Sequence, residues 1–436
     1  MTSNNGKVNY PNNIYSQKMV EWRRTFHQFP EIGWTEFVTT GTLIPLLREM
    51  GLEVKAGPYI IHRESIMGRD EKLVEEAIEI ARQKGISSEL LDEMDGLTGC
   101  IATLDTGIPG PTFGFRFDID CVYVQESDEA EHRPHQQGFA SCRPGLMHAC
   151  GHDGHTAVGL GVAAWLMENK STLRGKYKLI FQPAEEGVRG ARPISDSGVL
   201  DDVDYLMGMH LGCNLKKGQI VLDPSDFLCT TKLDLYFKGA PAHAGAEPEK
   251  GRNALAGACM AASEILATPR HSGGMTRVNV GILRAGEGRN VIPATAEMQI
   301  EVRGQDAEIT QFLVEHVERC AKGAALIHEL SVTMKKAGEA VSFRNDPEMV
   351  TLMQTVIDTH PELSNVVSPL GGSEDVSLMV KRVQEHGGKA IFFLVGADQA
   401  DGHHRAKFDI DEEALSIGLT LLTGGITAIL QSPAQI

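Results

Sequence analysis

Three strand-like segments of this chain end on side chains that hold metals or move protons, and this limits the fold more than any single motif does. Thr112 to Asp120 alternates Phe113, Phe115 and Phe117 with Gly114, Arg116 and Asp118, and it ends on Asp118-Ile119-Asp120. Lys176 to Phe181 runs into Gln182-Pro183-Ala184-Glu185-Glu186-Gly187. Val203 to Met209 leads to His210 and Gly212. In open α/β sheets, ligands gather at the carboxyl ends of strands. Three such endings predict one rim of an α/β sheet.

The stretch from Met147 to His155, Met-His-Ala-Cys-Gly-His-Asp-Gly-His, belongs on that rim. It carries three histidines, a cysteine and an aspartate, and an apolar helical run from Thr156 to Met167 follows. A polar cluster at a helix start is expected to serve a site. Further on, Lys389 to Val395 reads as an apolar strand, followed by Gly402-His403-His404.

Between these parts the pattern changes. Lys232–Phe237, Arg277–Arg284, Thr295–Arg303 and His328–Met334 read as strands, and Asn253–Ala267 and Ile309–Gly323 as helices. The order β-α-β-β-α-β over roughly a hundred residues predicts a ferredoxin-like domain. The expected division is 1–227 with 338–436 as one domain and 228–337 as the insert. Further helices are expected at Tyr15–Gln28, Thr35–Met50, Pro347–Thr359 and Asp411–Leu430. A charged stretch from Asp70 to Met94 reads as a solvated helical pair with one buried stripe, an insert of about 69–95.

A formal charge of −17 disfavours a general binder of nucleic-acid backbones. The polar start from Met1 to Asn13 lacks a signal-peptide pattern, and no run reads as a membrane span. The eight cysteines are scattered, without the spacing of a disulfide framework. Residence in the cytoplasm is the simple expectation.

The candidate metal ligands are Cys150, His152, Glu186, His210 and one of His403 and His404. Mixed sulfur, nitrogen and oxygen donors suit a first-row divalent ion. Five ligands are too many for one open tetrahedral site and suit two ions with a shared ligand. Glu185 and Glu186 are neighbours, so an extended backbone would point them apart, one to metal and one to substrate as general base. Asp118 and Asp120 would share a face and steady a metal or a ligand histidine. His148 and His155 are expected to support the ligands. His27 and Glu31 are weaker suspects near the start.

Arg116 to Asp120, Met147 to His155, Phe181 to Gly187, and His404 with Phe408 and Asp409 resemble the amidohydrolase branch of the aminoacylase and carboxypeptidase-type metallopeptidases. The likeness spans nearly the whole chain. Its fold would be a mixed central sheet flanked by helices, plus an inserted ferredoxin-like dimerisation or lid domain. It implies Cys150, His152, Glu186, His210 and His404 as ligands, His404 being chosen over His403 because it lies four residues before Phe408. It implies Glu185 as general base, with Asp120 among the catalytic groups. It implies that His243, from a neighbouring subunit, steadies the oxyanion. Asn290 and Arg303 would hold the substrate carboxylate. Cys121 stands where the family usually has alanine.

The insert from Arg69 to Asp95, Phe139 to Cys142 and Gly402 to His404 narrow the likeness to members that cleave p-aminobenzoyl-glutamate to p-aminobenzoate and glutamate. The resemblance implies two divalent ions, manganese in preference to zinc. It also implies a homodimer or a heteromer with a related B subunit. The rival expectations are a broader N-acyl-amino-acid hydrolase or dipeptidase, a non-catalytic partner subunit, and a metal store or sensor.

Overall fold

The strand Thr112–Asp118 is buried along its whole length and lies near the middle of an eight-stranded sheet. The computed structural model describes residues 14–225, 227–368 and 372–432, so the polar start at 1–13 lies outside the described residues. In chain order the strands are β1 (Glu53–Ala56), β2 (Cys100–Asp105), β3 (Thr112–Asp118), β4 (Lys176–Gln182), β5 (Tyr205–Leu211), β6 (Gln219–Val221), β7 (Cys229–Lys238), β8 (Thr276–Ala285), β9 (Thr295–Gly304), β10 (Ser331–Ala340), β11 (Ser364–Asn365) and β12 (Lys389–Val395). The larger sheet has the order β1-β2-β4-β3-β5-β12-β6-β11.

Its centre is parallel. β3 pairs in parallel with β4 and β5, and β5 pairs in parallel with β12. These four strands therefore end on the same side, which brings Asp118, Gln182, His210 and Val395 to one rim. β1 and β2 run antiparallel, so the sheet is mixed.

Helix His152–Asn169 covers the middle of this sheet. From Ala157 to Ala164 it contains only small and aliphatic residues. A side chain at Gly159 would meet Phe181 at 2.7 Å and Phe117 at 2.8 Å, so glycine lets the helix press onto the phenylalanines. The sequence pattern predicts a helix from Thr156, but the observed one begins at His152. Gly151, at φ 90°, makes the turn that permits this. His152, Asp153 and His155 are thus fixed on the helix's first turn.

The second sheet has the order β10-β7-β9-β8 with every pair antiparallel. Helices Ala254–Leu266 and Ala307–Ile327 complete the ferredoxin-like pattern. Leu235, Phe237, Met298, Val302, Leu313 and Val317 centre a core separate from that of the larger sheet. The expected helical pair is present as Glu71–Gln83 and Ser88–Met94, each started by a side-chain cap, Asp70 and Ser87.

β1, β6 and β11 are too short for a periodic signal. His210 stands at the end of β5, as expected, with only Leu211 after it in the strand. Helix Val376–Glu385 has no counterpart in the sequence reading. Helix Glu413–Gln431 is long and apolar enough to cross a membrane by length and composition alone, but 67% of its apolar window is buried inside the protein.

Candidate metal and acid-base centre

Cys150 lies where two groups of donor atoms meet. Cys150, His152 and Glu186 offer atoms within 4.8 Å of one another, and so do Cys150, His210 and His403. The sulfur is 3.6 Å from His210 Nε2 and 3.5 Å from His403 Nδ1.

Hydrogen bonds fix the ring states. His152 Nδ1 donates to the Asp120 carbonyl at 2.9 Å, so Nε2 is the atom open to a metal, although Asp118 and Asp120 outweigh burial and raise the ring's pKa to about 10. The His152 Nε2 atom is buried without a hydrogen-bond partner among the described residues. His210 Nδ1 donates to the Leu211 carbonyl at 2.8 Å, so its Nε2 is bare toward the sulfur. Burial pushes His210 well below its ordinary pKa, keeping it in the neutral form that binds metals. Nitrogen and oxygen donors around a sulfur are what a divalent ion needs once it displaces their protons, so the residues present fit a metal centre.

The two C-terminal histidines divide differently from the spacing argument. His403, rather than His404, stands with Cys150 and His210. However, His403 Nε2 accepts the Cys213 N–H at 3.0 Å, so the neutral ring carries its proton on Nδ1, toward the sulfur. In that state His403 is a donor to Cys150. His404 Nε2 lies 3.0 Å from Glu186 Oε1. Its hydrogen bond to Glu186 outweighs burial and raises its pKa.

Glu185 and Glu186 do not lie on extended backbone. They follow Ala184, at φ 52°, in a turn. Asp120 builds that turn. Its two oxygens accept the Glu185 N–H at 3.1 Å and the Glu186 N–H at 3.0 Å. Asp120, expected among the catalytic groups, is buried with both oxygens engaged, and it positions both glutamates and His152. Glu185 is buried beside Glu374 and Asp375. Burial first, then the neighbouring Glu374 and Glu186, pushes its carboxyl well above the usual range.

The sequence reading missed Glu374 and Asp375. Their only signal was an acidic pair ahead of an apolar run, the ordinary mark of a helix start. Asp118 accepts from His155 Nδ1, and His155 Nε2 accepts the Leu211 N–H at 2.9 Å, so His155 is satisfied as a support. His148 is buried, and neither of its ring nitrogens has a hydrogen-bond partner among the described residues.

The open face of the second sheet lies across from this rim. Lys232, Asp234, Asn279 and Glu301 line a cleft of about 560 Å³ with Glu186, Cys121 and Tyr123. His243 and Asn290 are exposed in paired loops, and His243 belongs to none of the donor groups found among the described residues. His243 Nδ1 accepts the Gly245 and Ala246 N–H groups at 3.1 and 3.0 Å, which leaves Nε2–H as an outward donor. Arg303 is paired with Glu301 through two hydrogen bonds of 3.0 Å.

Behind the ligand helix, His27 bridges Asp153 at 2.8 Å and Glu126 at 3.0 Å. Burial alone would lower its pKa, but these hydrogen bonds outweigh it and hold the ring at about 9 rather than 6.5. The protonated form is thus favoured by folding. Its contribution is complete below pH 6.5 and is lost as pH rises toward 9. Unfolding free energy should fall over that window by on the order of 3 kcal/mol more in the wild type than in His27→Gln. Equal pH slopes in urea titrations would refute this.

The family model described as Peptidase family M20/M25/M40 matches residues 114–427. A homolog of one subunit of p-aminobenzoyl-glutamate hydrolase, from Haemophilus influenzae, is 45% identical over 421 residues, covering 96% of this chain and all of that protein. The indole-3-acetyl-aspartic acid hydrolase of Enterobacter agglomerans is 42% identical, covering 93% of this chain and 94% of that one. The crystal structure of an aminobenzoyl-glutamate utilization protein from Klebsiella pneumoniae superposes with a TM-score of 0.81 at 35% identity, covering 95% of this chain and 96% of that one. With the family model and both relatives spanning most of its length, the chain belongs to peptidase family M20/M25/M40.

Proposed function

We propose that this chain hydrolyses the amide bond of p-aminobenzoyl-glutamate in the cytoplasm, releasing p-aminobenzoate and glutamate. The observation that carries this reading is the carboxyl of Glu185, 3.9 Å from the Nε2 of His152, in one of the two donor groups that share Cys150. The similarity to the Haemophilus influenzae protein supports the substrate.

Cys150, His152, Glu186, His210 and a histidine of the 403–404 pair would hold two divalent ions, manganese in preference to zinc. When bound, these ions supply Lewis acidity, polarising the amide carbonyl and lowering the pKa of a water. Glu185 takes the proton of the attacking water and passes it to the leaving nitrogen. Asp120 holds the Glu185-Glu186 turn in place. His243 of a second copy, or of a related B subunit, offers its Nε2–H to the developing oxyanion. Asn290 holds the glutamate carboxylates, joined by Arg303 once it leaves Glu301. In this reading residues 228–337 act as a dimerisation and lid domain.

The second reading has specific support. The relative at 42% identity is named for an indole-3-acetyl conjugate of aspartate, so a broader N-acyl-amino-acid hydrolase is the alternative. A chelated enzyme should be inactive and should regain turnover with manganese or zinc. Its kcat/KM for p-aminobenzoyl-glutamate should then exceed that for hippurate and indole-3-acetyl-aspartate by about 10-fold or more. Equal rates across the panel would establish the broader reading. Turnover that survives chelation would refute the metal centre.

A further inference from the structure

Beside Glu185 lie two more buried carboxyls, and they are used very differently. Glu185, Glu374 and Asp375 have oxygens within 4.8 Å of one another. Asp375 is fully occupied. It accepts from the Gly190 and Ala191 N–H groups at 3.1 and 2.9 Å, from Gln182 at 2.8 Å and from Arg116 at 3.1 Å. Asp375 therefore holds structure together and has no lone pair to spare for a substrate.

Glu374 is the opposite case. It is 7% exposed, and its Oε2 is buried without a hydrogen-bond partner among the described residues. Arg116 stands 3.6 Å from that oxygen, too far for a hydrogen bond, and is engaged by Asp118 and Asp375. His210 Nε2 stands 3.8 Å from Oε1. Glu374 clusters with Glu185 and not with Cys150, so it belongs on the base's side of the centre and not within either ligand group. A buried acceptor left unmatched is unfavourable and requires an explanation.

We propose that Glu374 is a substrate-binding catalytic residue that accepts a hydrogen bond from the N–H of the scissile amide and holds the leaving nitrogen toward Glu185. The proposal rests on the amide-hydrolase reading above. The contact needs only an oxygen acceptor and no change of protonation. It would turn the nitrogen so that the proton carried by Glu185 has a short path to it as the C–N bond breaks. An amide N–H would satisfy the orphaned oxygen, whereas an ester oxygen would not. Glu374 would thereby select amides over esters.

The test compares p-aminobenzoyl-glutamate with the matching ester of 2-hydroxyglutarate, using the full chain loaded with manganese. Glu374→Ala should lower kcat/KM for the amide by about 10- to 100-fold, and for the ester by no more than about 3-fold. Glu374→Gln, which keeps an oxygen acceptor, should recover most of the amide rate. Because the variants remove a buried carboxyl crowded by Glu185 and Asp375, they should fold about as well as the wild type, as thermal melting can check. Metal content measured on each variant should stay at the wild-type level. Equal losses on amide and ester, or loss of bound metal, would overturn the proposal and leave the hydrolase reading intact. A wild-type enzyme that cleaves neither substrate would overturn both.

Discussion

Glu185→Gln should bind metal as the wild type does and lose about 10²- to 10⁴-fold in kcat. The substitution keeps the shape of the side chain and removes the proton acceptor. KM should change little, because Glu185 handles a proton and does not carry the substrate's binding groups. The environment makes the expectation sharp. Glu185 is buried, and Glu374 and Glu186 add like charge beside it. An amide at this position is better tolerated by its surroundings than a carboxylate, so the variant should melt no lower than the wild type. Loss of turnover without loss of stability or metal separates a catalytic carboxyl from a structural one. Turnover within about 5-fold of wild type would remove Glu185 from the role of base.

The sequence made the rim visible because strand and helix periods are local. Alternating phenylalanines announced β3, and the polar endings of β3, β4 and β5 announced a shared side before any sheet order was known. Their parallel registry then brings those ends together. Other features were not local. Asp120 looked like a possible catalyst because an acidic residue at a strand end gives no hint of where its oxygens point. Only the fold shows both of them taken by the Glu185-Glu186 turn. Glu374 was silent because a single acidic pair has no period. The four-residue spacing before Phe408 favoured His404, yet the turn at 402–404 places both histidines near the centre, on different partners. Hydrogen bonding, which spacing does not encode, distinguishes them.

Arg23→Met should cost about 3–5 kcal/mol of unfolding free energy, the largest stability effect expected of a single change here. The helix that carries Arg23, Ser16–Gln28, read in the sequence as an ordinary amphipathic opening, because its partners lie 130 to 389 residues away. The guanidinium is fully buried and meets Asp153 at 3.0 Å, Asp409 at 2.6 Å and Glu412 at 3.2 Å. Asp153 follows His152 on the first turn of the ligand helix, and Asp409 and Glu412 follow the His403–His404 turn. Arg23 therefore ties both sources of ligand histidines to one point behind the centre. Methionine would fill the space and remove the guanidinium that Asp153 and Asp409 share, leaving them with His27 and Arg133 alone. The cost would come from those under-compensated buried carboxylates more than from the lost contacts. The double variant Arg23→Met with Asp153→Asn should thus recover part of the loss, giving a coupling energy of about 1–3 kcal/mol in a double-mutant cycle. Metal affinity should fall in the single variant and partly return in the double one. If the two substitutions were simply additive in urea unfolding, the clamp would be ordinary packing, and the tie between the opening helix and the centre would not exist.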